Sequence, residues 1–270
     1  MTDKWLKHDG LVHVAQELHV LINHAYFGKI PSFDGFDKYP LNRVYICLDD
    51  CGHIEYPDKR LRRQLIRLKG NSITFIPAET DLSYFFKEGR MIALHFNVEI
   101  FPGIDVFQEP NICQQLNHVK KSCLNIYRLM QSDSTLNSIF SIQGELLNLT
   151  SRFCHGDYDD LKKQAVLRNK YEDLLLYISQ NLKATLTVAE VAAYLNKTRD
   201  QISKSFQRDM HLSLKSYLLK RVFRKSTTLL LSGLNVKETA YHLGFSSEFY
   251  FSRFFKKQMG LPPSEFIKKF

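Results

Sequence analysis

The sequence lacks any apolar run approaching the ~18 to 20 residues that a membrane-spanning helix requires. Its first residues, MTDKWLKHDGLVHV, also lack the apolar stretch and the cleavage site of a secretion signal. Hydrophobic residues make up 44% of the chain and charged residues 24%, a composition that favours sizeable cores over disorder. A length of 270 residues suffices for two ordinary domains. We therefore expect a folded, two-domain, cytoplasmic protein.

Cysteine is also scarce. The five cysteines are odd in number and scattered, whereas a disulfide framework is dense and normally even. Cys47 and Cys51 are four positions apart, but no second pair and no nearby histidine follows at the spacing of a zinc finger. The sequence therefore predicts no structural metal site, and we expect no cofactor.

Acidic residues are few in the last part of the chain. Residues 161–270 contain 20 Lys and Arg against 8 Asp and Glu, whereas residues 1–160 contain 17 against 20. The net charge of +9 therefore originates in the C-terminal part, which indicates a polyanionic partner for that part alone. A solvated lysine-rich surface that maintains solubility is the alternative, and charge alone does not decide between them.

The sequence pattern changes from strand-like to helical along the chain. Up to about residue 105, short runs rich in Ile, Val, Tyr and Phe alternate with turn-like segments, which predicts a sandwich or barrel with strands in RVYICL, RQLIRL, SITFIP and GRMIALHFNVEIF. From about Pro110, apolar residues recur at helical spacing and predict two helices between residues 111 and 153. The polar stretch HGDYDDLKKQ is interpreted as a linker, and everything after it as helices.

The helical part contains an internal repeat. VAEVAAYLNKTRDQISKSFQRDMHL and VKETAYHLGFSSEFYFSRFFKKQMGL align at an offset of 48, and at 49 after one extra residue in the second copy. Each copy has a short helix, a turn at Asn196-Lys197 or Gly244-Phe245, and a second helix capped by Thr198 or Ser246. This is the layout of a helix-turn-helix, whose second helix enters the major groove of DNA.

A helix predicted over residues 213–232 joins the two copies, with Ser213 as its cap and Gly233 at its end. About 20 helical residues extend ~30 Å, close to the ~34 Å between successive major grooves on one face of DNA. The helix could therefore hold two recognition helices in adjacent grooves. Two helical hairpins that merely pack together are the structural alternative.

The second helix of each copy divides into an apolar and a basic face. Ile202 and Phe206 point inward in the first copy, and Phe251, Phe254 and Phe255 in the second. We predict that the outward residues of the two helices face DNA bases: Arg199, Asp200, Ser203, Lys204, Glu248, Phe249, Ser252 and Arg253. Residues closer to the helix ends should contact phosphates: Gln207, Arg208, Lys256 and Lys257.

Residues 236–266, VKETAYHLGFSSEFYFSRFFKKQMGLPPSEF, resemble the signature of the AraC/XylS family of bacterial transcription regulators, and the resemblance extends over about residues 170–270. Three positions depart from the family pattern: Pro262 stands where Thr is usual, Phe249 where a small or polar residue is common, and Lys204 where Arg is common. Because lysine lacks the bidentate fork that reads guanine, base readout by the first recognition helix should be weaker.

The resemblance implies an α+β fold: an N-terminal cupin-like β-barrel at about residues 18–105, a helical dimerisation segment at 111–153, and a C-terminal double helix-turn-helix. The expected domains are residues 1–160 and 165–270. The implied function is a sequence-specific, effector-responsive transcriptional activator that works as a homodimer on double-stranded DNA with RNA polymerase. The resemblance also favours a sugar or another small metabolite as the effector.

Candidate effector residues are polar or amphipathic side chains on predicted strands of the barrel, namely Arg43, Tyr45, Tyr84 and His95. Each could equally be an ordinary sheet or core residue. Metal-dependent cupin enzymes use a His-x-His cluster, which this sequence lacks, since His53 and His95 are isolated. We therefore expect no enzymatic activity.

Two rival functions come from other classes. The first is a cupin-type enzyme with a nucleic-acid-binding tail, which bound iron, manganese or zinc would favour. The second is a non-specific architectural protein with two basic helical units, which bulk DNA would compete for as well as any single sequence. The operator sequence, the effector and the sign of regulation are not readable from the sequence.

Overall fold

The computed structural model describes residues 17–58, 60–107, 112–131, 136–153 and 158–269. They form two compact units. The β unit holds the described residues of His19–Val98 and those between Asp105 and Asp157. The helical unit holds Glu99–Ile104, the described residues from Tyr158 onward, and the two described residues before His19. The helical unit thus includes a short segment from the N-terminal half of the chain. Each unit has its own hydrophobic core.

The β unit is built on two antiparallel sheets. A five-stranded sheet has the order β1-β8-β3-β6-β9 and a four-stranded sheet the order β2-β7-β4-β5. The strands are β1 His19–Ile30, β2 Phe33–Asp37, β3 Asn42–Cys47, β4 Gly52–Pro57, β5 Arg63–Arg67, β6 Ser72–Ile76, β7 Leu82–Phe86, β8 Gly89–Glu99 and β9 Gln114–Leu116. The predicted α+β class with an N-terminal β part is confirmed, although the sheets are barrel-like and do not close.

The core of the β unit lies between the two sheets. Side chains from β3 and β8, such as Tyr45 and Met91, meet side chains from β4 and β7, such as Ile54 and Tyr84. Every residue of β3 is buried, as expected for a central strand covered on both faces.

Ten helices occur in the described residues. In the β unit, α1 spans Lys120–Gln131 and α2 Leu136–Phe153. The helical unit holds α3 Tyr158–Lys170, α4 Glu172–Asn181, α5 Val188–Tyr194, α6 Arg199–Met210, α7 Leu214–Leu231, α8 Val236–His242, α9 Glu248–Met259 and α10 Pro263–Lys269. No helix in these ranges is long and apolar enough to cross a membrane.

Two predicted element boundaries differ from the structure. The helix expected from residue 111 starts at Lys120, because Gln114–Leu116 instead pair with β6 as the edge strand β9. The predicted linker contributes most of its residues to α3, since Lys, Gln and Leu are good helix formers even without an apolar stripe. The remainder of that linker, residues 155–157, lies outside the described residues.

Candidate nucleic-acid interface

The first helix-turn-helix consists of α5, a turn and α6. Thr187 caps α5 and Thr198 caps α6, each as part of a capping box in which the side chain three residues later bonds back to the cap backbone. Asn196 has φ +52°, in the left-handed region that asparagine tolerates. The predicted turn and the Thr198 cap are confirmed.

The second helix-turn-helix repeats this geometry in α8 and α9. Asn235 caps α8 in a capping box with Glu238, and Gly244 provides the turn at φ +70°. The cap of α9 is Ser247, whose side chain accepts a hydrogen bond from Tyr250 N at 3.2 Å. The prediction of Ser246 was wrong by one position, because the extra residue of the second copy enters before the cap and the offset is already 49 there.

Each recognition helix buries an aromatic ring in its own core. Phe206 of α6 is fully buried in a cluster with Ile202 and with Val191 of α5. Phe255 of α9 is fully buried between Phe223 of α7 and Phe266 of α10, at ring-centroid distances of 5.3 and 5.4 Å. The inward face of each helix is therefore committed to packing, which leaves the opposite face for a partner.

The predicted DNA-facing side chains all lie outside these cores. Ser203 and Ser252 are half-buried, and the other ten residues are exposed: Arg199, Asp200, Lys204, Gln207, Arg208, Glu248, Phe249, Arg253, Lys256 and Lys257. Phe249 is 74% exposed, which is unusual for a large ring and leaves it free to contact a partner. The assignment of these residues to bases or phosphates stays a prediction.

The two recognition helices differ in how many of their cations are already paired. In α6, Lys204 lies 3.9 Å from Asp200, and Arg208 Nε lies 3.1 Å from Asp209 Oδ1. In α9, Arg253, Lys256 and Lys257 make no ion pair with any other residue that the structure describes. The α9 face therefore presents more uncompensated positive charge than the α6 face.

Asp209 anchors the end of α6 rather than facing outward. Its carboxylate accepts hydrogen bonds from Lys170 Nζ and from Tyr171 OH, the latter at 2.8 Å. These hydrogen bonds lower the pKa of Asp209 to about 2, and the one from Lys170 has the larger effect. The residue fastens α6 to the segment between α3 and α4.

One continuous helix, α7, connects the two helix-turn-helix units. It runs for 18 residues, ~27 Å at 1.5 Å per residue, from the Ser213 cap to Ser232, and Gly233 follows at φ +98°. Its first turns bury Leu214 and Tyr217 in the first core, and Phe223 packs against the second. The predicted long connecting helix is confirmed.

Arg43 is the most deeply buried charged side chain of the β unit. Its Nη1 donates a hydrogen bond to Asp37 Oδ1 at 2.5 Å, and its guanidinium lies 5.2 Å from the centre of the Tyr39 ring. Nε and Nη2 of the same guanidinium are buried and make no hydrogen bond with any residue that the structure describes. Unpaired buried donors are costly, so an acceptor group beside these two atoms would be favourable.

The other three effector candidates are buried around Arg43. His95 of β8 lies opposite Arg43 of β3 in the sheet, and Tyr45 follows two residues later on β3. Two causes hold the pKa of His95 well below its ordinary value: burial, which is the larger, and the nearby positive charge of Arg43. This imidazole is therefore neutral. Burial raises the pKa of Tyr84, so this phenol is protonated at neutral pH. The structure thus brings the four predicted residues into one core, although their role stays a prediction.

Similarity to known proteins is concentrated in the helix-turn-helix region. A family model for a helix-turn-helix domain matches residues 191–269. The Msm operon regulatory protein of Streptococcus mutans is 34% identical over 87 residues, which are 32% of this chain and 31% of that protein. The regulator GbdR of Pseudomonas aeruginosa is 30% identical over 97 residues, 36% of this chain and 26% of that protein.

Residues 191–269 are thus similar to the helix-turn-helix domains of transcriptional regulators. The matches span about a quarter to a third of the two named relatives' own length. ToxT of Vibrio cholerae superposes with a TM-score of 0.54 at 14% identity, covering 94% of this chain and 98% of that one. At that identity the superposition shows the fold alone, and the shared fold includes the N-terminal sheets.

The sequence did not indicate two groups of residues. Asp37 and Tyr39 lie beside Arg43, but only the fold brings the end of β2 to β3. The strand GRMIALHFNVEIF was predicted to end at Phe101, whereas β8 ends at Glu99 and Glu99–Ile104 belong to the helical unit. A signal for it was available in EIFPGID, where a proline and a glycine end the strand pattern.

Proposed function

We propose that the protein is a sequence-specific transcriptional activator that reads double-stranded DNA with α6 and α9. The observation that carries the proposal is the repetition of one capped helix-turn-helix on both sides of α7, each with an apolar inner face and a polar outer face. The similarity of residues 191–269 to regulators supports it. Recruitment of RNA polymerase and a cytoplasmic location, where the chromosome lies, belong to the same proposal.

Different residues on the outer faces of α6 and α9 suit contacts with bases and contacts with phosphates. Arg199 and Arg253 have the bidentate geometry that suits guanine, and the exposed ring of Phe249 suits the methyl group of thymine. Lys256 and Lys257 have point charges that suit phosphates. Because α9 carries more unpaired cations than α6, we expect the second half-site to contribute the larger share of affinity.

Selection from a random double-stranded DNA library tests the proposal. The expected result is an enriched sequence with two half-sites about one helical turn apart, bound with an affinity that falls steeply with salt. Competition with bulk DNA serves as the control. If bulk DNA competes as well as the enriched sequence, the architectural alternative holds, and tightly bound iron, manganese or zinc in the purified protein would favour the enzyme.

We also propose that a small effector binds in the β unit against Arg43. The two unpaired donors of its guanidinium support this, because sugar hydroxyls or a carboxylate would supply the acceptors. ToxT has been crystallised with (E)-4-(8-methylnaphthalen-1-yl)but-3-enoic acid, which is a carboxylic acid. The test therefore includes both classes of compound. The family resemblance suggests the sugar, and the buried guanidinium suggests the carboxylate.

Thermal unfolding of the full chain with panels of sugars and small carboxylic acids identifies the class. A binding compound raises the midpoint of the wild-type protein, and Arg43→Lys should lose that rise, because lysine lacks the guanidinium fork. Arg63→Lys, at an exposed position on β5, is the matched control. A compound that stabilises Arg43→Lys as strongly as wild type would remove Arg43 from the site.

A homodimer formed through α2 completes the proposal. Leu136, Phe140 and Leu147 lie on one side of this helix and are 69%, 62% and 43% exposed. Such a row of exposed apolar side chains is expensive in water and is typical of a surface that a partner covers. The observation fits the expected dimerisation segment.

A further inference from the structure

Residues Glu99–Ile104 form a six-residue excursion that continues β8 into the helical unit. The base of the excursion is closed within the β unit. Val106 N donates to Val98 O at 2.8 Å, and the Asp105 carboxylate accepts from Val98 N at 2.9 Å and from Asn42 Nδ2 at 2.7 Å. The two ends of the excursion are therefore held side by side.

The tip of the excursion is part of the core of the first helix-turn-helix. Phe101 is fully buried and meets the rings of Tyr217, Tyr171 and Phe206 edge to face, at centroid distances of 5.8, 6.3 and 6.3 Å. Phe206 is the central core residue of recognition helix α6. The first helix-turn-helix thus depends for its packing on a residue about 90 positions before its own sequence begins.

Polar contacts fasten the same segment to the connecting helix α7. Tyr217 OH donates to Pro102 O at 2.6 Å, and Arg221 Nη1 donates to that hydroxyl oxygen at 2.8 Å. Glu99 and Arg224 form an ion pair, and the other oxygen of Glu99 accepts from Gly103 N at 2.7 Å. Three successive turns of α7 therefore contact the excursion.

Gly103 shows how closely the excursion fits. Its φ is +85°, and a Cβ at this position would lie 2.5 Å from Arg221 Cδ and 3.2 Å from the Tyr217 ring. Any side chain here would need both a strained backbone and a displaced Arg221 side chain. The fit is thus specific to this sequence.

We propose that Glu99–Ile104 is a structural part of the first helix-turn-helix, with Phe101 as a positioning residue for α6. The proposal rests on the proposed function for its consequence, which is that the packing of Phe101 supports the reading of DNA by α6.

Hydrogen exchange of the full chain tests the structural part without DNA. Phe101→Leu should increase amide exchange in α6 and in the first turns of α7 by about tenfold or more, and leave α8 and α9 unchanged. Phe107→Leu is the matched control, because Phe107 is buried in the β unit six positions away and packs on Phe75 at 4.8 Å. Equal exchange in α6 for the two variants would overturn the proposal.

Footprinting on the selected DNA tests the consequence. Phe101→Leu and Glu99→Gln should lose protection at the half-site read by α6 and keep it at the half-site read by α9, whereas an unfolded fraction would weaken both equally. Protection at both half-sites like that of wild type would overturn the positioning role and leave the proposed function intact. Failure of the wild-type protein to select any DNA would refute the proposed function. Hydrogen exchange would still show whether Phe101 supports the packing of α6.

Discussion

At the scale of single residues, the outer faces of α6 and α9 differ in charge compensation. Arg253 is exposed and makes no ion pair with another residue in the described ranges, whereas Arg208 already contacts Asp209. An unpaired guanidinium keeps its donors available for a base edge, and a paired one must first give up its partner. Base discrimination should therefore be more sensitive to substitutions in α9.

Arg253→Ala should weaken binding to the selected DNA by about 1–3 kcal/mol and relax the preference at one base pair. The reason is the loss of a bidentate contact that alanine cannot replace. Affinities for the selected sequence and for its single-base variants measure both effects. Lys268→Ala, an exposed position on α10, is the control. Binding of Arg253→Ala to cognate and scrambled DNA like that of wild type would exclude Arg253 from the groove.

Asp209 makes a pH-dependent contribution to stability. Its pKa in the folded chain is about 2, below the ordinary value of 3.8, because Lys170, Tyr171 and Arg208 bond to the carboxylate. A lowered pKa stabilises the fold above the unfolded-state pKa and loses that contribution as the pH falls toward 2. Asp209→Asn should therefore unfold at a lower urea concentration than wild type at pH 7. The difference between the two urea midpoints should narrow as the pH falls from 4 to 2. A difference that does not change with pH would contradict this assignment.

At the scale of elements, α7 determines the relation between the two recognition helices. Its first half packs in one core and its second half against the other, so a bend in its middle would change their separation. Backbone contact supports the arrangement from the other side, since Ala184 N before α5 donates to Leu243 O before the second turn at 2.8 Å. Both α7 and this hydrogen bond therefore connect the two helix-turn-helix units.

Lys220→Pro interrupts α7 at an exposed position near its middle. Proline removes one helix hydrogen bond and clashes with the preceding turn, at a cost of ~3 kcal/mol. We expect binding to the two-half-site DNA to fall to the level of a single half-site, measured by titration. Lys220→Ala is the control, and Lys220→Gly, which costs only ~1 kcal/mol, keeps the test valid if the proline variant unfolds. Unchanged binding by the proline variant would show that α7 does not set the spacing.

At the scale of the whole molecule, charge and apolar exposure are separated along the chain. The basic excess lies in residues 161–270, whereas the exposed apolar row Leu136, Phe140 and Leu147 lies on α2. A polyanion and a second copy of the chain would thus use different surfaces. The two kinds of binding should therefore be separable by mutation.

Phe140→Glu should convert the proposed dimer to a monomer by placing a charge in its apolar contact. Sedimentation of the purified protein over a range of concentrations measures the change. Phe36→Glu, at a similarly exposed phenylalanine of β2, is the matched control. Dissociation by Phe36→Glu and not by Phe140→Glu would place the interface on the sheet instead.

Local patterns predicted most of the helical unit. The repeat, the turn at Asn196, the cap at Thr198 and the unbroken α7 follow from residues within a few positions of one another, because capping and helical periodicity are short-range effects. The one-residue error at Ser247 arose where the two copies differ in length. Strands with clear alternation or buried runs, such as β3 and β6, were likewise found from the sequence.

The sequence by itself determined the two recognition helices, their cores and the sign of their outer charge, since each depends on side chains spaced along one helix. Only the tertiary structure decided that Asp37 pairs with Arg43, that Gln114–Leu116 join a sheet, and that Phe101 completes a core formed mainly by residues beyond position 170. Those contacts join residues that no local periodicity connects, and their gain in free energy appears only after the chain has closed the intervening loops.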